Sequence, residues 1–184
     1  EVNNLAGDPK YAAVLRELRS RMQHKVKSLP DLSLYPESHL FEYATDDGVA
    51  FGRKHKAEIA RLVDIADLAL LPFDQAKARL GAALASTNPW DRYWGLIVCT
   101  CFGDKARPFV STATRLQSDS TPLVRIRAAE FLGSIKATDP RPTITKVLRA
   151  SDSHVETLLA LNTVVYLHDG FPEYRFKLNN QDVK

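Results

Sequence analysis

Cysteine is almost absent from this chain: there are two, Cys99 and Cys101. Two positions along a helix is about 200° of rotation, so the thiols point to opposite faces and cannot readily share a metal ion. No His/Cys cluster stands nearby to complete a zinc site, and the expected role is that of small buried side chains. No apolar run approaches the roughly 20 residues that cross a bilayer, which excludes a spanning helix and any membrane partner of that kind. The net charge of +3 is too small to point to nucleic acid. The chain also lacks a Gly-rich phosphate loop, a nucleophile elbow and a His-x-x-x-His pair. It begins with Glu1 rather than Met, with no charged-then-apolar signal segment, and reads like the middle of a protein.

What is present is a normal globular composition, 45% hydrophobic and 26% charged, with apolar residues recurring at helical spacing almost throughout. Its 184 residues suffice for one ordinary domain or an array of small units. Positive charge clusters at Arg16, Arg19, Arg21, Lys25 and Lys27, and again at Arg53-Lys54-His55-Lys56. These read as a solvated helix face and a basic loop, with steering of a sulfated polysaccharide as the sharper alternative. The five histidines (His24, His39, His55, His154, His168) are scattered and read as surface side chains. Asp46-Asp47 reads as a turn and Asp64/Asp67 as a charged helix face, neither with a partner acid for proton transfer.

Asp8 is a good N-cap and Pro9 suits a first helical position. Tyr11, Leu15, Leu18, Met22 and Val26 then form one stripe, closed at Ser28-Leu29-Pro30-Asp31. Residues 31–55 look irregular: extended chain, a short helical turn through Ser38 to Tyr43, then a turn at Thr45-Asp46-Asp47-Gly48. So long an irregular stretch is expected to pack on a neighbour. From Lys56 the pattern is helical, with Ile59, Leu62, Val63, Ala66 and Leu70 in one stripe ended before Pro72. A helix opened by Phe73-Asp74 follows, with Ala76, Leu80, Ala83 and Leu84 inward.

A repeat then emerges. Leu84 to Gly95, Leu116 to Ala128 and Leu148 to Ala160 each show a helix ending in Leu, a polar turn and a new helix. Aligning Arg92, Arg125 and Glu156 gives spacings of 33 and 31 residues. Val124-Arg125-Ile126-Arg127-Ala128-Ala129 resembles the phrase of HEAT repeats, and the likeness covers roughly residues 74–168. The fold expected is all-α: an α-solenoid of stacked, HEAT-like (armadillo-like helical) pairs over 56–184. One long helix and an irregular segment precede it in 1–55. Tyr174 and Phe176 of the polar tail are expected to anchor it on the last repeat.

The opening phrase, Glu1-Val2-Asn3-Asn4-Leu5-Ala6-Gly7-Asp8-Pro9, resembles the far end of the catalytic domain in type I (arylsulfatase-like) sulfatases, where such a phrase leads into a C-terminal helix. The order of segments resembles a group of bacterial sulfatases carrying a helical tail. The resemblance implies a non-catalytic C-terminal part, packed on its own catalytic domain or holding subunits together, in an exported (periplasmic or extracellular) sulfate-ester hydrolase. The chemistry, and the calcium such enzymes bind, would lie upstream of residue 1. Neither Cys99-Thr100-Cys101-Phe102-Gly103 nor Cys101-Phe102-Gly103-Asp104-Lys105 fits the family's Cys/Ser-x-Pro-x-Arg motif, so no catalytic, cofactor or metal residue is carried onto this chain. The alternative is an independent HEAT-like scaffold for protein–protein interaction. Trp90, Tyr93 and Trp94 share one helix face at i, i+3 and i+4 and are the candidate interaction surface, with core packing as the plainer role.

Overall fold

A computed structural model describes residues 3–29, 31–179 and 181–183; Glu1, Val2 and the expected stop at Pro30 lie outside the described residues. The protein is all-helical, and among the described residues there is no strand. The main helices are α1 (Ala12–Ser28), α2 (Glu37–Tyr43), α3 (Gly48–Lys54), α4 (Lys56–Ala66) and α5 (Phe73–Leu84). They continue with α6 (Pro89–Phe102), α7 (Val110–Leu116), α8 (Pro122–Ser134), α9 (Arg141–Ala150) and α10 (His154–Gly170). No helix among the described residues is long and apolar enough to cross a membrane.

The N-terminal cap forms as its residues dictate. Asp8 accepts a hydrogen bond from the Lys10 backbone N–H at 2.9 Å, and Pro9 opens a 3-10 turn that leads into α1. The stripe on α1, however, is mostly uncovered. No residue of α1 is buried, and Leu18 and Met22 are 57% and 65% exposed. Its attachment to α4 is chiefly polar: Gln23 donates to Asp67 at 2.7 Å, and Lys27 pairs with Asp64. Asp64 and Asp67 are therefore the tether for α1 rather than a merely solvated face. Of the stripe, Val26 packs on the core.

Residues 31–55 hold a 3-10 turn (Leu32–Leu34) and two short helices: the helical turn expected through Ser38 to Tyr43 is present as α2, while α3 stands where only a turn and loop were expected. Asp47 caps α3 by accepting from the Ala50 N–H at 2.8 Å, which turns the expected loop into a helix start. The basic Arg53–Lys56 stretch is likewise not a loop but the end of α3 and the start of α4. Arg53 and Lys54 sit in the last turn of α3, where the helix dipole favours positive charge. Leu34 and Tyr35 enter the same core as Ile59, Leu62 and Trp90, so this stretch is built into the helical body.

α8 is the centre of the packing. It touches α6, α7, α9 and α10, and its residues are buried almost all round, from Leu123 and Val124 to Phe131, Leu132 and Gly133. Such a helix has no solvent face to be amphipathic about. One hydrophobic cluster runs from α4 through α6 to α8, and a second joins α8, α9, α10 and the tail. Ala76, Leu80, Ala83 and Leu84 all face inward on α5, as their spacing predicts. Tyr174 and Phe176 of the tail are buried on the second cluster, and Asp182 accepts from the Asn179 N–H at 3.0 Å while pairing with Arg149. Cys99 is buried but Cys101, expected inside, is exposed, as opposite faces of one helix require.

Two backbone positions around the end of α8 carry opposite consequences. A Cβ built on Gly133 would lie 2.8 Å from Pro140 Cγ and 3.3 Å from Leu167 Cδ2. Gly133→Ala is therefore expected to destabilise by about 1–3 kcal/mol despite the better helix propensity of alanine. Lys136 sits at φ 54° just past the helix, with the Ala137 N–H reaching back to the Leu132 carbonyl at 2.8 Å. This is a Schellman turn with lysine where glycine is unstrained, and the exposed ion pair of Lys136 with Glu173 offsets little. Lys136→Gly should raise stability by up to about 1 kcal/mol. Thermal and urea unfolding of both variants check the opposite signs.

Candidate functional site

The three aromatic residues singled out on α6 do not form an open surface. Trp90 and Tyr93 are buried and Trp94 is half-buried. Trp94 donates from Nε1 to the Leu34 carbonyl at 2.7 Å, which pins the 32–34 turn against α6. The Tyr93 hydroxyl accepts from Arg127 Nη2 at 3.0 Å, with the guanidinium also over the Tyr93 ring at 5.2 Å. Arg127 further pairs with Glu130, whose carboxylate accepts from the Thr163 hydroxyl at 2.9 Å. One buried polar chain thus ties α6, α8 and α10 together. The i, i+3, i+4 face predicted from sequence is real; Tyr93 and Trp94 work inside the molecule, while Trp90 also lines a groove.

Trp90 borders the site that the sequence did not reveal. The ring centroid of His39 on α2 lies 4.7 Å from Trp90, 4.7 Å from Tyr43, 5.2 Å from Tyr35 and 5.9 Å from Phe51. Four aromatic rings from α2, α3, α6 and the preceding turn therefore surround one imidazole. Outside this box opens a groove of about 780 Å³. One wall is α2, with Phe41 and Tyr43 standing 69% and 59% exposed. The opposite side is made by the first turns of α6, α8 and α10, at Pro89, Pro122 and Val155.

Behind the aromatic box lies a set of paired polar groups. Glu58 of α4 accepts from Asn88 Nδ2 at 2.7 Å and lies 3.2 Å from His55 Nδ1. Burial alone would raise the Glu58 carboxyl, but the hydrogen bonds from Asn88 and His55 hold it below its usual value. Burial lowers the pKa of His39, and the neighbouring His55 adds to this; the carboxylates of Glu58 and Glu42 oppose it without cancelling it. The Tyr35 hydroxyl is buried with no partner at full hydrogen-bond geometry, and burial, followed by a weak donation to the neighbouring Glu58 carboxylate and then by its charge, raises its pKa. Beside these, Asp91 accepts from Arg61 Nε at 2.9 and 3.1 Å and from the Ser86 hydroxyl at 2.7 Å.

Glu58 is already engaged by two donors, and no thiol faces the groove. The buried Cys99 thiol is pushed up to about 12 by its burial, which leaves little thiolate as a nucleophile. Among the described residues, no group of three His, Cys, Asp or Glu side chains is placed to hold a metal ion. Compared with family models, with curated proteins and with solved structures, the chain finds no match. Sequence reasoning missed His39, Phe41 and Glu58 because nothing in their spacing joins them. The available signal was the density of aromatics at 35, 41, 43 and 51 in a stretch read as irregular.

Two outcomes follow. Because the folded state holds His39 below its ordinary 6.5, the unfolded chain binds the proton more readily. The stability that neutral His39 allows is complete above about pH 6.5 and falls as pH drops below it. His39→Phe, which keeps an aromatic body in the box, should flatten the decline of melting temperature between about pH 7.5 and 5.5, above the range where Glu58 titrates. Tyr35→Phe removes a buried hydroxyl without a partner at full hydrogen-bond geometry and should leave the melting temperature unchanged or higher.

Proposed function

We propose that this chain is the non-catalytic, C-terminal helical-repeat part of a sulfatase-like enzyme, and that it works by packing on the catalytic domain. The observation that carries the reading is α1. A 17-residue helix with an apolar stripe at Val14, Leu18 and Met22 stands on the surface with that stripe uncovered. Contiguous exposed apolar surface of this kind marks a contact with another protein body. A cleft of about 240 Å³ lined by Met22, Val26, Val63 and Leu70 lies between α1 and α4. The resemblance of the opening phrase to the end of a sulfatase catalytic domain supplies the identity of that neighbour, since α1 follows the phrase directly.

The same reading gives residues 56–184 the architecture of a HEAT-like solenoid. Its support is a bond made twice at the repeat period. Arg92 donates to the Ser86 carbonyl at 2.8 Å, and Arg125, 33 residues on, donates to the Asp119 carbonyl at 2.7 Å. In each turn the side chain of the same residue, Ser86 or Asp119, accepts a backbone N–H two positions ahead. Two turns built alike at that period suit a repeat. No catalytic step is assigned to this chain, and calcium is assigned to the catalytic domain. A second reading, an independent HEAT-like scaffold for a protein partner, is favoured by the groove beside α2.

The coding sequence upstream of residue 1 tests the first reading. It should encode an α/β domain with a Cys/Ser-x-Pro-x-Arg motif; a reading frame that starts near residue 1 overturns the proposal. With that domain purified separately, Leu18→Glu/Met22→Glu should weaken its association with this chain by about tenfold or more, read by calorimetry with the helical circular dichroism unchanged. The chain alone should release no sulfate from an aryl sulfate, with or without calcium.

A further inference from the structure

The groove beside α2 has a chemistry that its position at three helix starts would not suggest. Three first turns in one place usually attract an anion, because their free N–H groups and dipoles point at it. Here four of those first-turn donors are used up or missing. Pro89 and Pro122 have no N–H at the first helical positions of α6 and α8. The Trp90 N–H is taken by Asn88 Oδ1 at 2.8 Å, and the Glu156 N–H by the Ser153 hydroxyl at 3.2 Å. Among the described residues, the charged side chains lining the groove are Glu42, Asp152 and Glu156, with no lysine or arginine. On a chain whose net charge is +3, this is a locally acidic cleft. An anion entering it would meet like charge.

The rest of the lining is apolar and aromatic: Phe41 and Tyr43 stand free on one side, Pro89, Pro122 and Val155 on the other. Exposed aromatic faces next to carboxylates suit a cationic head on an apolar stem, which lysine and arginine provide. Three helices side by side at the usual 8–10 Å spacing span about 16–20 Å. An extended peptide covers that distance in about five or six residues.

We propose that this groove binds an extended segment of a partner protein in which lysine or arginine alternates with apolar residues. The segment lies across the first turns of α6, α8 and α10, its apolar side chains against Phe41, Tyr43 and the two prolines, its cationic heads toward Glu42 and Glu156. This assignment does not depend on α1, so it stands or falls separately from docking on a catalytic domain.

The test uses the whole chain and three probes: a fluorescein-labelled peptide alternating leucine and lysine over about six residues, its glutamate-for-lysine counterpart, and inorganic sulfate. The lysine peptide should bind, with its anisotropy rising on addition of the protein and the Trp90 emission shifting. The glutamate peptide should bind at least about tenfold more weakly. Glu42→Gln/Glu156→Gln should reduce affinity for the lysine peptide by about fivefold and flatten its salt dependence. Phe41→Ala, at an exposed position that the fold does not need, should reduce it by about tenfold. Circular dichroism and melting temperature unchanged in these variants establish that they fold. Equal binding of the two peptides, affinity indifferent to all three substitutions, or sulfate shifting Trp90 emission in place of the lysine peptide would each overturn the proposal. Sedimentation showing dimers that Phe41→Ala dissolves would put a second copy in the groove and overturn it as well.

Discussion

Burial of α8 on every side is the constraint from which the rest of the architecture follows. A helix with Val124, Ile126, Ala128, Phe131 and Leu132 all removed from solvent needs neighbours around its whole circumference. α6, α7, α9 and α10 supply them. Its polar residues can be tolerated there because each is paired: Arg127 with Glu130 and Tyr93, and Glu130 with Thr163. Removing one member would leave a charge in a place with little water, which costs more than the pair contributes. The chain of contacts also fixes how α6 and α10 sit relative to each other, since both are bonded to α8. That in turn sets where their first turns meet.

The groove is a consequence of this arrangement. α6, α8 and α10 start at one edge because the three turns before them are short, and α2 is brought across that edge by the packing of Tyr35 and Trp94 on and around α6. His39 fills the gap between α2 and α6, and the rings around it exclude enough water to favour its neutral form. The same burial leaves the Tyr35 hydroxyl without a partner at full hydrogen-bond geometry. A site assembled this way combines a rigid side, made of helix starts, with a side of exposed rings on a short helix. Peptide recognition commonly uses that combination, because the rigid side holds the shape and the rings provide area at low entropic cost.

Much of the helical content was legible from spacing. The Asp8-Pro9 start, the inward residues of α5, the polar turns before α6, α8 and α10, and the anchoring of Tyr174 and Phe176 all stand in the structure where their patterns put them. In the stretch from 31 to 55 the helical turn through Ser38 to Tyr43 was legible, but the Leu32–Leu34 turn and α3 were not, because they are one or two turns long, too short for a 3.6-residue period to show. Asp47 capping α3 carries the start that periodicity could not. Trp90, Tyr93 and Trp94 show the complementary limit: three aromatics on one face announce a contact, but spacing does not say whether the contact lies inside or outside the molecule.

Periodicity and capping, both local, were enough for the sequence to determine that this protein is helical, where most of its longer helices start and which faces are apolar. Whether an apolar face is covered depends on residues far away in the chain, and only the tertiary structure decided it. α1 and α5 carry comparable stripes, yet α5 is packed and α1 is held mainly by Gln23 and Lys27 on two aspartates. The groove depends even more on distance in sequence, since it joins α2 to the starts of helices about 50, 80 and 115 positions later. No local rule relates those positions; the burial of α8 does.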